Sequence, residues 1–334
     1  MKRSFVAAAF ILMLSFSALA NLMFVDYATA NFMVARLHLP EIIINSNGTV
    51  TPETGYIHRA GNVYTLTANI TNEYSVQIER SNIVFDGAGH TIDVAVPGVF
   101  NVDGCNNGFY EDVGITLSDV NNVIVKNVKV YSNNIYTIYL HGSSNCLITG
   151  VHTGNSVRIL GDSNTITESN TSVCISSGGN NLITRNNISD VLVGSPSNVF
   201  FKNNFYLTDY PYISAESIWD NGSIGNYWSN YTIKYPNASE ISNSGIGDTP
   251  YVIQREWYTT KDYPNVKNVD NYPLIYPYDI ENDAIAFPTP EPTPTPEPES
   301  FPTLPVATAS VASVVVIGVG LLVCFKKRMK KAAN

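Results

Sequence analysis

A repeat of asparagine-headed strands in the middle of the chain limits its possible folds more than any other feature. Five four-residue runs align without gaps and share an Asn at the first position: Asn122-Val-Ile-Val, Asn145-Cys-Leu-Ile, Asn164-Thr-Ile-Thr, Asn181-Leu-Ile-Thr and Asn198-Val-Phe-Phe. Successive Asn residues lie 23, 19, 17 and 17 positions apart. A period of about twenty residues, made of short apolar strands and polar turns, is typical of a solenoid.

Stacking explains why such a repeat is needed, because one coil of this length cannot bury its inward side chains alone. Parallel coils stacked about 4.8 Å apart can bury them. Asn tolerates left-handed backbone angles at corners, and its amide can bond to the Asn of the next coil. The five Asn residues therefore predict a structural ladder in an all-β parallel β-helix. Five positions on, four of the runs carry a second Asn or Ser, as Asn127, Ser169, Asn186 and Asn203, and the other carries Gly150.

The N-terminus has the pattern of a secretory signal. Lys2 and Arg3 precede an apolar stretch that extends from residue 5 to residue 20. Basic residues followed by an apolar region and small residues are typical of a signal peptide. We expect this segment to occupy residues 1–30, with cleavage after either Ala20 or Ala30.

The C-terminus has the pattern of a membrane anchor. Residues 304–325 include no charged side chain, and a helix of this length reaches about 33 Å, enough to cross a bilayer core of about 30 Å. Five Lys and Arg residues follow in the segment 326–334, which predicts a cytoplasmic tail. Residues 281–303 are rich in Pro, Thr and Glu and predict an extended stalk. The predicted location is the cell membrane, with one transmembrane helix and an extracellular body.

Composition restricts the partners of that body. The chain has a net charge of −9, and removing the positive charges of the signal and tail leaves the exterior more acidic. An acidic exterior excludes nucleic acid as a partner, because phosphate binding requires Lys and Arg. In an exported protein, Asn-x-Ser/Thr triplets are candidate glycan acceptors, and five of them lie at Asn47, Asn69, Asn221, Asn230 and Asn237. Two further triplets, at Asn170 and Asn187, lie near the stacked turns, where we expect them to be inaccessible.

Two parts of the chain resemble a known family. The segment 57–92, which includes Asp86-Gly-Ala-Gly-His90, and the segments 218–231, 245–253 and 269–274 are similar to NosD-type β-helix proteins of archaea and bacteria. These are secreted or surface proteins, grouped with carbohydrate-binding and sugar-hydrolysis β-helix domains. The resemblance covers roughly residues 42–278. It implies a right-handed β-helix at 57–206, an N-terminal lead-in at 31–56 and an aromatic C-terminal cap at 207–280.

The aromatic residues of the predicted cap admit two interpretations. Trp219, Tyr227, Trp228 and Tyr231 lie close together in the sequence, beside Asn, Asp and Gly. Aromatic faces beside polar groups suit a sugar ring, so these four residues are carbohydrate-binding candidates. The last coil of a solenoid also needs large amphipathic side chains to cover its open core. Both interpretations remain open at this point.

The case for catalysis is weaker. Sugar-cleaving enzymes that use two carboxylates need them close together across a groove. Asp162 and Glu168 flank a ladder Asn and are the candidate pair, but the acidic residues of the repeat occupy non-equivalent positions, and Arg158 and Arg185 show no matched register to the pair. A non-catalytic protein is therefore favoured. The alternative is a polysaccharide hydrolase or lyase that acts on acidic glycans.

Cofactor signals are sparse. Glu240, Asn243 and Asp248 occupy the place where the family often carries a calcium-binding loop, but they supply too few oxygen ligands to predict Ca²⁺. The family resemblance also implies a third possibility, a copper-related accessory role. The leading prediction is a membrane-anchored extracellular β-helix protein with a carbohydrate-binding or cell-envelope structural or adhesive role. Its expected partners are glycans or cell-envelope components.

Overall fold

The computed structural model describes residues 39–95, 113–206, 211–253 and 268–285. The chain divides into two units, Met1–Phe287 and Pro288–Asn334, and the second lies entirely outside the described residues. The predicted signal peptide, the transmembrane helix and the basic tail also lie outside them. Within the described ranges, no helix has the length and apolar character needed to cross a membrane.

The described chain is almost entirely β-structure. Its first strands are β1 (Glu41–Ile44), β2 (Val50–Thr51), β3 (Ile57–Ala60), β4 (Val63–Leu66), β5 (Ile70–Thr71), β6 (Ser75–Ile78), β7 (Ile83–Asp86), β8 (Thr91–Asp93), β9 (Ile115–Ser118), β10 (Val123–Lys126), β11 (Lys129–Tyr131), β12 (Tyr136–His141) and β13 (Leu147–Thr149). The others are β14 (His152–Leu160), β15 (Thr165–Thr167), β16 (Asn170–Ser177), β17 (Leu182–Thr184), β18 (Asn187–Val193), β19 (Val199–Phe201), β20 (Asn204–Phe205), β21 (Tyr212–Ile213), β22 (Tyr227–Trp228), β23 (Tyr251–Val252), β24 (Val269–Asp270), β25 (Tyr278–Asp279) and β26 (Ala284–Ile285). One short helix, α1 (Tyr231–Lys234), follows β22.

Two large sheets contain most of these strands. The first has fourteen strands and a main path in the order β2-β1-β6-β9-β12-β14-β16-β18-β20-β22. The second has eight, in the order β19-β17-β15-β13-β10-β7-β4-β3. Pairing is parallel throughout both sheets except at the N-terminal edge, where β2 and β3 pair antiparallel to β1 and β4. The described residues thus form an all-β fold of parallel sheets, consistent with the predicted solenoid class.

Strict register along the second sheet builds the core. Ile148, Ile166, Ile183 and Phe200 pair in sequence across β13, β15, β17 and β19, and all four are completely buried. Their neighbours on the same strands alternate outward, as the two-residue period of a strand requires. Each coil therefore contributes one inward apolar residue from this sheet at this level.

The predicted ladder is wrong in one respect, because its five Asn residues do not form one column. Leu147 pairs with Thr165, so Asn145 is level with Ser163 and not with Asn164. A shift of one residue on a strand moves a side chain to the opposite face. Asn145 is consequently exposed, whereas Asn164 is fully buried.

Asn122 lies in the same outer column as Asn145. The bridge between Asn121 and Ser144 sets this level, and both Asn residues have a left-handed φ of 56°. The other members of the column also have left-handed backbones: Asn82, Ser163, Asn180 and Ser197, with φ between 57° and 65°. The two roles predicted for each Asn are thus divided between columns, with left-handed corners outside and amide stacking inside.

The inner column confirms the amide stacking. Asn164 donates to Asn181 Oδ1 from its backbone N at 2.8 Å and from Nδ2 at 3.1 Å. Asn181 donates to Asn198 Oδ1 in the same way, at 3.1 and 2.9 Å. Cys146 starts the column by donating its backbone N–H to Asn164. The ladder that joins these coils therefore consists of three Asn residues, not five.

A second ladder lies at the other end of the same strands. Ser169, Asn186, Asn203 and Asn226 each donate a backbone N–H to the side chain of the next member, and the three Asn residues add a side-chain bond. The last acceptor is Asp270 Oδ2. Three of these residues, Ser169, Asn186 and Asn203, lie five positions after the Asn residues of the inner column. The second ladder thus fastens the final coils to the segment that contains Asp270.

Candidate functional site

An open groove of about 1150 Å³ crosses the outside of the first sheet. Its floor is a row of side chains at one register level: Lys129, His152, Asn170, Asn187 and Asn204. Each coil supplies one member, so at about 4.8 Å per coil the row is roughly 20 Å long. The first three are exposed, Asn187 is half-buried and Asn204 is buried. The groove thus presents polar side chains at one register level on three successive coils.

One wall of the groove is aromatic. Tyr206 follows β20, and its side chain is 44% exposed, whereas many other aromatic side chains of the described residues are buried. Its ring centroid lies 5.8 Å from that of Tyr227, and the two rings are tilted. An exposed aromatic face beside amide groups is a combination that suits a sugar ring.

The other wall is formed by residues 277–281, on the hairpin of β25 and β26. Asn204 fixes this hairpin to the floor, because Nδ2 donates to Tyr278 O at 2.9 Å and Oδ1 accepts from Tyr278 N at 2.6 Å. Asp283 adds a second attachment by accepting from Lys202 Nζ at 3.3 Å and from the Tyr278 hydroxyl at 2.7 Å. These hydrogen bonds, led by that of Tyr278, lower the pKa of Asp283.

The two candidate catalytic carboxylates lie at opposite ends of β15. Glu168 lines the groove, whereas Asp162 does not and instead accepts the backbone N–H of Gly179 at 2.7 Å. The structure therefore does not bring the predicted pair together there. The expectation that Arg185 has no matched register to Glu168 is wrong, because the preceding residues pair directly and the two side chains form an ion pair.

Arg158 lies elsewhere on the first sheet. Its guanidinium carbon is 4.5 Å from the ring centroid of Tyr136 and 5.4 Å from that of Tyr139. Nε donates to Ser176 Oγ at 3.2 Å. Arg158 is thus held by aromatic rings and a hydroxyl, away from both candidate carboxylates.

The structure places three of the four predicted sugar-binding aromatics inside the cap. Trp219, Trp228 and Tyr231 are each only 1% exposed. Trp219 stacks on Phe200 and Trp228 stacks on Phe205, both at 4.3 Å between ring centroids. Because protein rings occupy these faces, a sugar cannot stack on them. Their prediction as sugar contacts is corrected to a capping role, and Tyr227 alone remains beside the groove.

The cap also holds a buried carboxylate. Asp270 accepts from Trp228 Nε1 at 2.9 Å and from the backbone N–H groups of Asn226 and Tyr272 at 2.8 and 3.1 Å. Burial raises its pKa to about 7, although these hydrogen bonds act in the opposite direction. No described Lys or Arg forms an ion pair with it. Sequence reasoning missed this residue, since nothing nearby in the chain marks it as buried.

The two candidate calcium-binding carboxylates accept hydrogen bonds from the backbone of their own loop. Glu240 Oε1 accepts the backbone N–H of Gly245 at 2.7 Å, and Asp248 Oδ1 accepts that of Ser239 at 3.0 Å. Asn243 has a left-handed φ of 54°. Across the described ranges, no three His, Cys, Asp or Glu side chains cluster as metal ligands would. These contacts explain the three candidate residues as parts of the loop structure.

The candidate glycan acceptors are all exposed and lie outside the groove lining: Asn47, Asn69, Asn221, Asn230 and Asn237. In two of them, the Asn side chain accepts a bond from the hydroxyl of its own triplet, at 2.7 Å in Asn47 and 2.9 Å in Asn221. The expectation of inaccessibility is wrong for Asn170, which is exposed in the groove. Asn187 is half-buried and accepts from Asn204 Nδ2 at 2.9 Å.

Together, these observations describe an all-β protein of parallel sheets with a long open groove. Comparisons with protein-family models, curated proteins and solved structures give no match to this chain.

Proposed function

We propose that this chain is a membrane-anchored surface protein whose right-handed parallel β-helix, of the NosD type, binds carbohydrate in the groove without cleaving it. The groove floor carries the proposal, because three successive coils expose Lys129, His152 and Asn170 at one register level, and the exposed Tyr206 lies at the other end of the row. An extended glycan advances along its axis by a distance comparable to the coil spacing. Successive sugars can therefore meet equivalent positions on successive coils.

The charge at the Lys129 end of the groove supports an acidic glycan as the ligand, although Asp279 and Glu281 line the hairpin wall. Lys129 and His152 occupy neighbouring coils at one register level, and neither has an acidic partner at ion-pair distance among the described residues. A lysine beside an imidazole that can donate hydrogen bonds favours a carboxylate-bearing or sulfated sugar. Glu168, by contrast, is paired with Arg185.

The carboxylates of the groove support binding over cleavage. Two-carboxylate hydrolysis needs one group with a raised pKa that can act as an acid. The pKa of Asp279 is lowered by hydrogen bonds from Asn282 and from backbone N–H groups. An ionised loop acceptor of this kind is poorly suited to donate a proton.

Tyr206 provides the test of the groove. With the full chain in mild detergent on a glycan array, we expect binding to linear acidic glycans and an affinity about tenfold lower for Tyr206→Ala, because one aromatic stacking contact is lost. Ile241→Ala is the matched control, since Ile241 is 45% exposed and does not line the groove. Equal losses in both variants, or no glycan binding at all, would contradict the proposal and favour a structural envelope role.

Cleavage of an acidic glycan is the second candidate function, and the pairing of Lys129 with His152 is the observation that favours it. The same preparation can be incubated with the glycans that it binds. Release of reducing or unsaturated ends, lost in Lys129→Gln, would replace the binding proposal with a hydrolase or lyase.

Membrane attachment is tested separately. We expect deletion of residues 304–334 to move the protein from the membrane fraction to the medium, because the apolar segment is removed. Deletion of residues 329–334 is the control and should leave the protein in the membrane fraction. A full-length chain that high salt alone extracts from membranes would contradict a spanning anchor.

A further inference from the structure

Two arginines converge on the loop between β1 and β2, at the N-terminal edge of the sheets. Arg59 on β3 donates from Nη1 to Gly48 O at 2.7 Å. Arg80 follows β6, and its Nη1 lies 3.4 Å from the Tyr64 hydroxyl, which itself donates to Gly48 O at 2.9 Å. A methyl group built on Gly48 would overlap Arg80 Nη1 and lie 2.8 Å from Arg59 Cζ. Both guanidinium groups therefore meet above the same glycine.

Within the described residues, Arg59 and Arg80 donate hydrogen bonds only to uncharged groups. Arg59 Nε donates to Gly61 O at 2.9 Å, and Arg80 Nη2 donates to Asn62 Oδ1 at 3.2 Å. Neither arginine forms an ion pair within the described ranges. Two adjacent cations without a counter-charge repel each other, and an anion placed between them would relieve that repulsion.

The nearest carboxylates by sequence are engaged elsewhere or lie across a cavity. Glu79 precedes Arg80 but accepts from Gln77 Nε2 at 2.6 Å. Glu53 lines a cavity of about 460 Å³, which Gly48 and Arg59 also line. This cavity opens beside Arg59 and leaves room for a group larger than a single ion.

We propose that Arg59 and Arg80 form a binding site for a sulfate or phosphate group. The planar guanidinium matches the geometry of an oxyanion, and each guanidinium keeps N–H groups that bond to no described acceptor. None of the site residues lines the groove, so this is a second, independent site. Because the chain as a whole is acidic, attraction of an anion here is local and weakens with salt.

The test uses the full chain in detergent, titrated calorimetrically with sodium sulfate and sodium phosphate at constant ionic strength. We expect a saturable isotherm for the wild type, at least tenfold weaker binding in Arg59→Gln and in Arg80→Gln, and none in the double variant. Arg59→Lys keeps the charge but not the planar fork, and should bind at an intermediate level. Lys129→Gln, which changes the groove, should bind sulfate like the wild type.

Thermal unfolding in chloride checks that the arginine variants remain folded. No saturable binding in the wild type, or equal isotherms for the wild type and a folded double variant, would overturn the proposal. A sulfated oligosaccharide that binds at least tenfold more tightly than inorganic sulfate would assign the anion to a glycan. Equal affinities for inorganic sulfate and the oligosaccharide would indicate that the site binds the free ion. Loss of sulfate binding in Lys129→Gln alone would place the anion in the groove and overturn the proposal.

Discussion

Replacing Asn181 with glycine lowers the free energy of unfolding by about 3–5 kcal/mol, whereas the same replacement at the neighbouring Asn180 changes it by less than about 1 kcal/mol. The two residues are identical and adjacent, yet they belong to different columns. Asn181 is 0% exposed, and Asn180 is an exposed corner residue with a φ of 57°. Glycine adopts that left-handed conformation without strain.

The expected loss at Asn181 follows from its hydrogen bonds. Its Oδ1 accepts from the backbone and side chain of Asn164, and its Nδ2 donates to Gly161 O at 3.1 Å and to Asn198 Oδ1 at 2.9 Å. Removing the amide leaves buried donors and acceptors without partners on both neighbouring coils. Each such group costs about 1–3 kcal/mol.

Urea unfolding, followed by far-ultraviolet circular dichroism, measures both variants against the wild type. A large decrease in the midpoint for Asn181→Gly and little change for Asn180→Gly would support the division into inner and outer columns. Equal decreases, or the reverse order, would show that the column assignment is incorrect.

Asp270 makes the stability of the cap fall as pH rises. The pKa of this carboxyl is about 7 in the folded chain, against about 4 in an unfolded chain. Since the folded state holds the proton more tightly, the stabilisation is fully present below about pH 4 and is lost as pH rises to about 7. The loss is on the order of 4 kcal/mol, and little further change is expected above the folded pKa.

Asp270→Asn should flatten this dependence, because the amide is neutral throughout the range. The control is Asp220→Asn, which removes a carboxylate that accepts from Gly222 N at 2.9 Å and Asn271 N at 3.0 Å. Urea midpoints measured from pH 4 to pH 8 should decrease for the wild type and for Asp220→Asn, but not for Asp270→Asn. A flat wild-type profile, or an unchanged slope in Asp270→Asn, would exclude this carboxyl as the source.

The parallel architecture could be predicted from the sequence, but the register of the first two repeats could not. In Asn164-Thr-Ile-Thr only one residue after the Asn is apolar, so the inward position is unambiguous. In Asn122-Val-Ile-Val all three are apolar, and either frame satisfies the alternation. The structure buries Val123 and Val125, which moves Asn122 outward. Continuous apolar runs therefore remove the signal that fixes a register.

The groove was beyond prediction for a different reason. Its hairpin wall contacts Asn204 from 74 residues further along the chain. The floor residues also differ in type from coil to coil, so only the correct register aligns Lys129 with His152 and then with Asn170. Local patterns predict strands, whereas this site depends on which strands and loops meet.

Two successive coils of equal length suggest that evolution can duplicate or delete a whole coil in this region. Thr165, Leu182 and Val199 are register partners in one sheet, and Asn170, Asn187 and Asn204 are partners in the other, each 17 residues apart. Duplicating or losing one such 17-residue unit would preserve every remaining pairing in both sheets. Homologous proteins should therefore differ in this region by whole coils. Each gained or lost coil would lengthen or shorten the binding surface by about 4.8 Å without redesigning the rest.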